Sequence, residues 1–457
     1  MDIIDFLAKL DGPVAQLRHR RSQARDNAQR SFEALFEPTD EAVIGAFTTE
    51  ERYAVAAFVA DLHGLQRAQS FYADLLADEL PEDSELLSTI NNLAAHAFAD
   101  QRTAGFPAPY GTYREPKVAD ESRPGPEFHV PAESREALGA RLSAAFEFAH
   151  LLVFHPRDAR PQRLVPLSRA GWSATEVVSL SQLISFLAFQ LRVVHGLAVL
   201  AHSASPAISF SDATPSTPTS PEDEETADNL PDGEDTYQAF NVLTYPDLVR
   251  PKGFVSHGLG WVPWVPPVPE ADLTDRQKTA LVDPLRAKSE YFRLLARDPE
   301  TLEARTLTDK DIFYNTTDGL GLAEREVAAA ATSRFNGCVY CASVHTVRAL
   351  QESKEAPDLA EREAAIARLC DMGVVEESGE RAEVLDLGIP LWNALSEASV
   401  ALAATPSQFG PHHIDVLRSF GLDDGSIVDV INSAAFFNWA NRLMLILGEP
   451  ELPRRYR

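Results

Sequence analysis

The chain has 457 residues, which is too long for one ordinary hydrophobic core and suits two domains with a connecting segment. Its formal net charge of −27 argues against a basic face that binds nucleic acid. Three cysteines do not make a disulfide framework and are typical of a reducing cytoplasm, where we expect the protein to reside. The opening residues, MDIIDFLAKLDG, lack the basic and apolar regions of a signal peptide, so none is expected.

Residues 1–202 have the pattern of an all-α domain. A helix that ends at Gly64 resumes directly after it, giving a helix–glycine–helix outline. The six prolines within 105–131 predict a loop, because proline interrupts both helices and sheets. The apolar stretch 179–202 is long enough to cross a membrane, but it contains Arg192, which is costly in lipid. We therefore interpret it as a buried helix and expect no membrane association.

Residues 203–236 differ in composition from the sequence on either side. They are rich in Ser, Thr, Pro and acidic residues and offer little to bury, so they predict a disordered acidic linker. The boundary separates a first domain, 1–202, from a second, 237–457. The second domain begins with a proline-rich segment that carries Trp261 and Trp264. These side chains either cover a functional site, contact a neighbouring subunit or pack on their own domain.

The stretch 322–350, LAEREVAAAATSRFNGCVYCASVHTVRAL, predicts two helices separated by a break at Asn336-Gly337, with Asn336 able to cap the second helix. Cys338 then falls in the first turn of the second helix, where free backbone N–H groups favour a thiolate. Cys341 and His345 follow at spacings that place all three on one helical face. Glu326 lies on the preceding helix and can reach the thiols if the two helices pack antiparallel. Two thiols, a base and a carboxylate suit thiol–disulfide or peroxide chemistry.

The pattern Glu326–x11–Cys338–x2–Cys341–x3–His345 resembles the active site of alkylhydroperoxidase D, in the carboxymuconolactone decarboxylase-like superfamily. The sequence FNGCVYCASVH is also similar to peroxidase-related members of that superfamily. One departure stands out, because the family enzyme has a second histidine where this chain has Tyr340. The resemblance implies an all-helical fold and a homo-oligomer, which for a duplicated chain would be a trimer.

The resemblance also implies a function. The chain would reduce a hydroperoxide through a dithiol/disulfide cycle, with Cys341 attacking the peroxide and Cys338 resolving the product. Glu326 would hold or relay protons, and His345 would act as general base and acid. An external dithiol or disulfide reductant would restore the thiols, and no cofactor or metal is implied. The residues alone do not decide between the cysteines, because Cys338 has the better helix-terminal position and Cys341 lies closer to His345.

Several other interpretations of this stretch stay open. Cys338, Cys341 and His345 would make three ligands of a zinc site, but Cys370 lies too far along the chain to be an obvious fourth. Two buried, inert cysteines on a core helix are a further possibility. The function would then be a lactone-acid decarboxylase or isomerase of the same superfamily, which needs no thiol pair. A non-enzymatic redox switch would use the same thiols without turnover.

The sequence also contains an internal repeat. Aligning Gly171 with Gly421 places Arg192 on Arg442, and aligning Gly64 with Gly337 places Arg52 on Arg325. The chain is thus predicted to be two tandem copies of one helical domain, joined by the linker. The site residues Glu326, Cys338, Cys341 and His345 would correspond to Tyr53, Leu65, Ala68 and Tyr72. Since residues 1–202 contain no cysteine, we expect the first copy to be structural or regulatory and the activity to reside in the second.

Overall fold

The computed structural model describes residues 2–45, 47–203, 238–371 and 386–457. The predicted linker, 203–236, lies almost entirely outside these residues. The described chain is mostly helical, as predicted. In the first half the helices are α1 (Ile3–Ala8), α2 (Pro13–Leu17), α3 (Ser22–Phe36), α4 (Glu41–Ile44), α5 (Thr49–His63), α6 (Gln66–Glu79), α7 (Leu86–Thr103), α8 (Ala132–Phe154), α9 (Val165–Arg169) and α10 (Ala174–Ser203).

The second half continues the helical architecture. Its helices are α11 (Asp275–Ala280), α12 (Glu290–Leu295), α13 (Pro299–Tyr314), α14 (Leu322–Asn336), α15 (Val339–Glu352), α16 (Leu359–Asp371), α17 (Pro390–Ala403), α18 (Pro411–Ser419) and α19 (Asp424–Ile446). Short 3₁₀ segments lie between them at Arg18–Arg21, Pro116–Glu121, Pro156–Asp158, Pro161–Leu164, Glu270–Asp272, Pro284–Lys288 and Arg454–Tyr456.

Local sequence signals set several of these boundaries. Thr48 begins α5 with a capping box, in which its hydroxyl accepts from the Glu51 N–H at 3.2 Å and the Glu51 carboxylate accepts from the Thr48 N–H at 3.3 Å. Asp423 begins α19 by accepting a hydrogen bond from the Ser426 N–H at 2.7 Å. Each cap provides a partner for a backbone N–H group that the helix itself leaves free.

One small sheet departs from the all-α prediction. Strand β1 (Gly260–Pro263) pairs antiparallel with β2 (Gly448–Glu451), with Gly260 opposite Glu451 and Pro263 opposite Gly448. The tryptophan-rich segment is therefore fixed to the end of the chain. Trp261 packs within this ribbon and donates from Nε1 to the Met444 carbonyl at 3.0 Å.

The two halves share one continuous hydrophobic core. The long apolar helix α10 packs along α19, and α3 packs along α13, so each contact joins a helix of the first half to one of the second. Close approach of α10 and α19 depends on Gly196, because a Cβ there would lie 2.8 Å from Cγ2 of Ile431. The halves are thus packed against each other like parts of a single domain.

Two buried arginines join the halves further. Arg192 on α10 donates to the Ala403 carbonyl at 2.7 Å, at the end of α17. Arg442 on α19 donates to the Leu152 carbonyl at 2.8 Å, near the end of α8. Each guanidinium also donates to the carbonyl four residues earlier on its own helix. Both residues therefore act as structural anchors, since helix-terminal carbonyls need a donor when buried.

Two described helices, α8 and α10, are long and apolar enough to cross a membrane by length and composition. In α10 the most apolar window has a mean hydropathy of 1.8, and 83% of it is buried inside the protein. The corresponding figures for α8 are 1.4 and 72%. Both helices lie in the shared core, which agrees with the prediction of a buried helix in this region.

Candidate active site

The site is built on the turn between α14 and α15. Gly337 ends α14 in the left-handed conformation, with φ at 83°, and the Cys338 N–H donates back to the Ser333 carbonyl at 2.9 Å. Cys338 itself occupies the N-cap position of α15, one residue before the predicted first turn. The sequence suggested that Asn336 caps α15, but it does not. Its side chain instead donates to Asn438 and Asn441 on α19, at 3.1 and 3.0 Å, and fixes the turn to the core.

The two cysteines of this turn are adjacent and buried. Cys338 is 1% exposed and Cys341, one helical turn later, is 4% exposed. Burial raises the pKa of the Cys338 thiol well above its ordinary value, and the Cys341 thiol beside it acts in the same direction. The Cys341 backbone amide opposes this effect by favouring the thiolate of Cys338. The two thiols are therefore hydrogen-bonded neighbours, with Cys338 protonated in the reduced state.

A carboxylate, an imidazole and a guanidinium form a chain beside the thiols. Glu326 on α14 is completely buried, and its carboxylate accepts hydrogen bonds from Nδ1 of His345 and from Nε of Arg348. The imidazole lies edge-on to Phe437, with ring centroids 3.9 Å apart. With Nδ1 bonded to Glu326, Nε2 is the nitrogen of His345 that remains to exchange protons. His345 lies one turn beyond Cys341 on the same helix, as predicted.

Polar groups without partners lie on the α12–α13 side of the thiols. Arg305 on α13 is only 6% exposed, and its guanidinium stacks on Phe436 and Trp439 instead of meeting an acceptor within the described residues. The Tyr291 hydroxyl on α12 is buried and also has no hydrogen-bond partner there. Burial raises the pKa of Tyr291, the charge of Arg305 lowers it, and the two cysteines raise it. Arg305, Tyr291 and the thiols therefore lie within electrostatic range of one another.

A carboxyl group stands on the same side. Asp309 follows Arg305 by one turn on α13, and burial raises its pKa. The charges of Arg305, Arg286 and His345 oppose that rise, and the Glu326 charge adds to it. Asp309 is thus a second carboxyl within electrostatic range of the histidine, in addition to Glu326.

A separate pocket reaches Cys338, and we refer to it as the Cys338 pocket. Its cavity volume is about 30 Å³, within about 440 Å³ of empty space that includes open solvent. Seven of its lining residues belong to the loop 105–131 or to the turn that follows α8. The lining consists of Thr112, Tyr113, Arg114, Glu115, Arg157, Ala159, Arg160, Arg250, Trp264, Gly337, Cys338, Val339, Tyr340, Met444, Leu445, Gly448, Glu449 and Pro450.

The first half also supports the turn that carries Cys338. Arg157 donates to the Phe335 carbonyl at 2.5 Å and stacks over the Tyr113 ring at 4.7 Å. A Cβ on Gly337 would lie 2.7 Å from Cγ of Arg157, so only glycine fits beneath this side chain. The walls of the pocket and the support of its floor thus come partly from residues before 202.

The remaining sequence candidates lie in varied settings. Tyr340, which replaces the second histidine, has its pKa raised to about 12 by burial and by the charges of Cys341 and Cys338, so its hydroxyl is a donor at neutral pH. Trp264 is buried, donates to Glu449 at 3.0 Å and lines the Cys338 pocket. His257 is not brought to the site, because it is held beside Tyr456 and stacks on that ring. His412 and His413 lie in the first turn of α18.

In the first half, the side chains that align with the site residues serve packing. Tyr72 stacks on Phe36 at 5.5 Å and its hydroxyl donates to Gln190 at 2.5 Å. Leu65 is the N-cap of α6, in the place that Cys338 takes before α15, and Ala68 is buried. These side chains offer no thiol, carboxylate or imidazole.

The family of the domain is now evident. Residues 299–378 match the model of the Carboxymuconolactone decarboxylase family. The chain contains a domain of this family. The match begins with α13 and includes α14, α15 and α16, and it confirms the resemblance that the Glu326, Cys338, Cys341 and His345 pattern suggested. No curated protein and no solved structure matches the chain.

The carboxymuconolactone decarboxylase domain does not hold its thiols and histidine in a metal-like cluster. Among the described residues, the ligand atoms that converge within 4.8 Å belong to Glu397, His412 and His413, outside this domain. Nδ1 of His345 is bonded to Glu326 instead of facing the thiols. The geometry of the domain therefore favours hydrogen-bonded thiol chemistry over zinc ligation by Cys338, Cys341 and His345.

Sequence reasoning missed several residues around the carboxymuconolactone decarboxylase domain. Arg348 carried a usable signal, because it follows His345 by three residues and so shares its helical face. Arg305 and Tyr291 carried none, since an arginine or tyrosine on a helix is unremarkable until its lack of partners is seen. Arg157 and Arg160 come from the first half, and only the tertiary contact brings them to Cys338.

Cys370 is the third cysteine, and it lies apart from the pair. It packs in a small cluster with Tyr113, Val118, Phe254 and Ala342. Burial raises its pKa to about 11, although the charge of Arg334 opposes the rise. A thiol of this kind stays protonated at neutral pH and reacts slowly with peroxide.

Proposed function

We propose that the chain is a thiol-dependent peroxidase that reduces hydroperoxides through Cys338 and Cys341. The observation that carries the proposal is the pair of adjacent buried thiols with the Glu326–His345 pair one helical turn further on. A buried cysteine pair that served packing alone would not need an imidazole held by a fully buried carboxylate.

The oxidative half of the cycle begins at Cys341. Nε2 of His345 takes the proton of the Cys341 thiol, and the thiolate attacks the nearer oxygen of the hydroperoxide. The O–O bond breaks, the sulfur becomes a sulfenic acid, and the alkoxide leaves with the proton returned by His345 as an alcohol. The Cys338 thiol then attacks the sulfenic sulfur, which releases water and forms the disulfide.

The polar groups on the α12–α13 side support this direction of attack. The Arg305 guanidinium and the Tyr291 hydroxyl are donors without a protein acceptor in the described structure. A departing alkoxide develops negative charge, and preformed donors in a dry site stabilise such charge strongly. We assign Arg305 and Tyr291 to that role in the proposed mechanism.

The reductive half restores the thiols. An external dithiol attacks one sulfur of the disulfide as its thiolate and forms a mixed disulfide, and the other protein cysteine leaves as a thiolate that is then protonated. The second thiol of the reductant displaces the remaining protein cysteine. The reductant leaves oxidised, and the protein has regained two electrons and two protons.

A coupled assay tests the proposal. The protein is supplied with a hydroperoxide and a dithiol, peroxide loss is followed, and mass spectrometry maps the disulfide in samples quenched during turnover. Catalytic peroxide loss with a Cys338–Cys341 disulfide is the expected result. A disulfide that forms once without turnover would instead identify a redox switch.

Decarboxylation or isomerisation of a lactone acid is a second candidate, and the family description favours it. In that case Arg305 would bind a carboxylate and His345 would move a proton, without any need for the thiols. Full activity on such a substrate after both cysteines are changed to serine would establish this alternative.

We also propose that the chain arose as two copies of one helical unit. Arg52 and Arg325 support this origin, because Nε of each donates to the carbonyl five residues earlier, at Phe47 and Leu320, at 3.1 and 2.7 Å. The reciprocal contacts of Arg192 and Arg442 support it as well. Three such chains would make the expected trimer, which light scattering of the purified protein tests.

A further inference from the structure

The Cys338 pocket carries an excess of positive charge. Four arginines line it, Arg114, Arg157, Arg160 and Arg250, against the two carboxylates of Glu115 and Glu449. Four positive and two negative groups leave a formal charge of +2. Such a lining is unexpected in a chain whose net charge is −27. A concentrated charge of the opposite sign at a cavity indicates a ligand that complements it.

The arginines are only partly neutralised by protein groups. Arg250 pairs with Glu115 and Glu449 at 2.5 and 2.7 Å, and Arg114 pairs with Glu449 at 2.9 Å. Glu449 is therefore already shared between two guanidinium groups, and Glu115 is already paired with one. Nε of Arg250 has no hydrogen-bond partner within the described part of the chain.

The other two arginines meet backbone carbonyls instead of carboxylates. Arg160 donates to the carbonyls of Arg157, Ala159 and Thr112 at 2.7–3.1 Å. Its pKa is lowered to about 10 by burial and by the charge of Arg114. Arg157 is buried, and its Nε has no partner among the described residues. Positive charges that disfavour one another in this way are stabilised when an anion enters between them.

The positive charge of the pocket lies next to Cys338. Cys338 lines the cavity as the N-cap of α15, where the free N–H groups of the first turn add further positive potential. Cys341 is absent from the lining and follows Cys338 by one helical turn, toward His345. Of the two sulfurs in the disulfide, the pocket thus presents that of Cys338.

We propose that the Cys338 pocket binds the carboxylate or other anionic group of the thiol reductant and directs its attack to the sulfur of Cys338. The reductant thiolate forms a bond to Cys338, and the bond between Cys338 and Cys341 breaks. The electron pair leaves on Cys341, which takes a proton from His345. A second reductant thiol releases Cys338, so two thiols are oxidised to one disulfide. This inference rests on the proposed function, and it makes the pocket, which neither Arg305 nor Tyr291 lines, the entrance for the reductant.

The same anionic chemistry has two sources, since a carboxylate can belong to the reductant or to the peroxide. Separate half-reactions distinguish them. The full-length protein is oxidised with diamide, which needs no peroxide, and its reduction is then followed by stopped-flow fluorescence. The probes are 3-mercaptopropionate and its neutral amide, which differ in the carboxylate alone, at equal thiolate concentration. A second arm oxidises the reduced protein with a carboxylated alkyl hydroperoxide and its amide.

The measured quantity is the ratio of the reduction rate with 3-mercaptopropionate to the reduction rate with its neutral amide. The variants are chosen to change this ratio in opposite directions. Arg160→Gln should lower the ratio about tenfold, the size of one charge-assisted hydrogen bond. Glu449→Gln should raise it, because the pocket becomes more positive while the amide oxygen still accepts from Trp264. Arg163→Gln is the matched control, since Arg163 lies on the nearby surface, pairs with Glu127 at 3.1 Å and does not line the pocket. Arg114→Gln replaces Arg160→Gln if that variant is unstable.

These changes in the ratio of reduction rates, with no change in the oxidation rates by the two hydroperoxides, would support the proposal. An unchanged ratio in both Arg160→Gln and Arg114→Gln would overturn it. A shift confined to the peroxide arm would also overturn it and would identify the pocket as a peroxide site. If no peroxide oxidises the protein, the proposed function fails, but the diamide arm still decides whether the pocket selects anionic thiols.

Discussion

His345 and Glu326 form a hydrogen-bonded pair across α14 and α15, through Nδ1 of the imidazole and a carboxylate that is completely buried. Arg348 binds the other oxygen of the same carboxylate. The guanidinium and the imidazole thus bind the two oxygens of one carboxylate, and the contact at Nδ1 fixes the imidazole tautomer. The pair therefore determines which nitrogen of His345 can serve Cys341.

Replacing His345 should slow the oxidative step. His345→Ala removes the proposed base, and the rate constant for disulfide formation at pH 7 should fall by about 10²–10⁴-fold. The deficit should shrink as the pH rises toward the thiol pKa, because hydroxide then removes the proton. Stopped-flow measurement of the oxidation rate against pH checks this. An unchanged rate at pH 7 would remove His345 from the mechanism.

Glu326→Gln should act in the same direction and less strongly. The amide keeps the shape of the side chain but loses the charge that favours the imidazolium. Arg348→Gln is the matched variant, since it leaves Glu326 and His345 bonded while it removes the second contact of the carboxylate. The pH–rate profiles of Glu326→Gln and Arg348→Gln should both shift relative to that of the wild type. A Glu326→Gln profile identical to wild type would show that the carboxylate only supports the fold.

Each cysteine of the pair should be essential, and the third should not. Cys338→Ser and Cys341→Ser should each abolish turnover, because a single thiol can be oxidised but cannot close the disulfide. If Cys341 attacks the peroxide, Cys338→Ser should accumulate a sulfenic acid that dimedone traps, whereas Cys341→Ser should not. Cys370→Ser is the control, with full activity expected because burial keeps its thiol protonated. The reverse labelling pattern would exchange the roles of Cys338 and Cys341.

The Tyr291 hydroxyl should contribute to activity without contributing to stability. It has no hydrogen-bond partner within the described residues, so Tyr291→Phe should leave the free energy of unfolding unchanged or slightly higher. The oxidation rate should fall about threefold to tenfold, as for the loss of one neutral hydrogen bond. In the control Tyr245→Phe, the hydroxyl that donates to Pro263 is lost, which should lower stability alone. A Tyr291→Phe enzyme that keeps its full rate would contradict the assigned role.

Acid should destabilise the protein partly through His150. Burial lowers the pKa of His150 to about 3, with a smaller effect from His155, so the folded state leaves it neutral down to that pH. In the unfolded chain the imidazole binds a proton near pH 6.5. The unfolded state thus binds more protons between pH 6.5 and 3, and the free energy of unfolding falls as the pH falls through that window. Denaturant titrations at pH 4–6 give the slope of the free energy of unfolding against pH. His150→Gln should reduce this slope by the equivalent of up to one bound proton. An unaltered slope would show that His150 is protonated in the folded protein.

The halves should stay together when the chain is cut between 204 and 237. The sequence predicts first cleavage in this acidic segment. The shared core and the reciprocal contacts of Arg192 and Arg442 should hold the two fragments in one particle. Size-exclusion chromatography after limited proteolysis checks this, with Arg192→Met expected to weaken the association. Separate, folded and soluble fragments would contradict it.

The local parts of the site were accessible from the sequence. Cys338, Cys341 and His345 follow the helical period on one helix, and Glu326 lies on the adjoining antiparallel helix, so short-range geometry brings them together. The side-chain role of Asn336 was predicted wrongly, because the competing partners on α19 lie about a hundred residues further along the chain.

Apart from Arg348, the parts that sequence reasoning missed depend on long-range contacts. The β1–β2 pair joins segments almost two hundred residues apart, and no local alternation marks either strand. Arg157 reaches the Phe335 carbonyl across a similar separation, which hides its role in supporting Cys338. Local periodicity predicts which face of a helix is buried, but it does not predict which distant segment covers that face.

The reciprocal packing of α10 and α19 has a consequence for synthesis on the ribosome. The apolar face of α10 and the guanidinium of Arg192 emerge long before the segments that bury them, since residues 204–423 are made in between. At roughly 5–20 residues per second, this interval lasts on the order of ten to forty seconds. During that time the nascent first half exposes a long apolar helix. We therefore expect a ribosome-associated chaperone to bind the nascent first half until the second half has been synthesised.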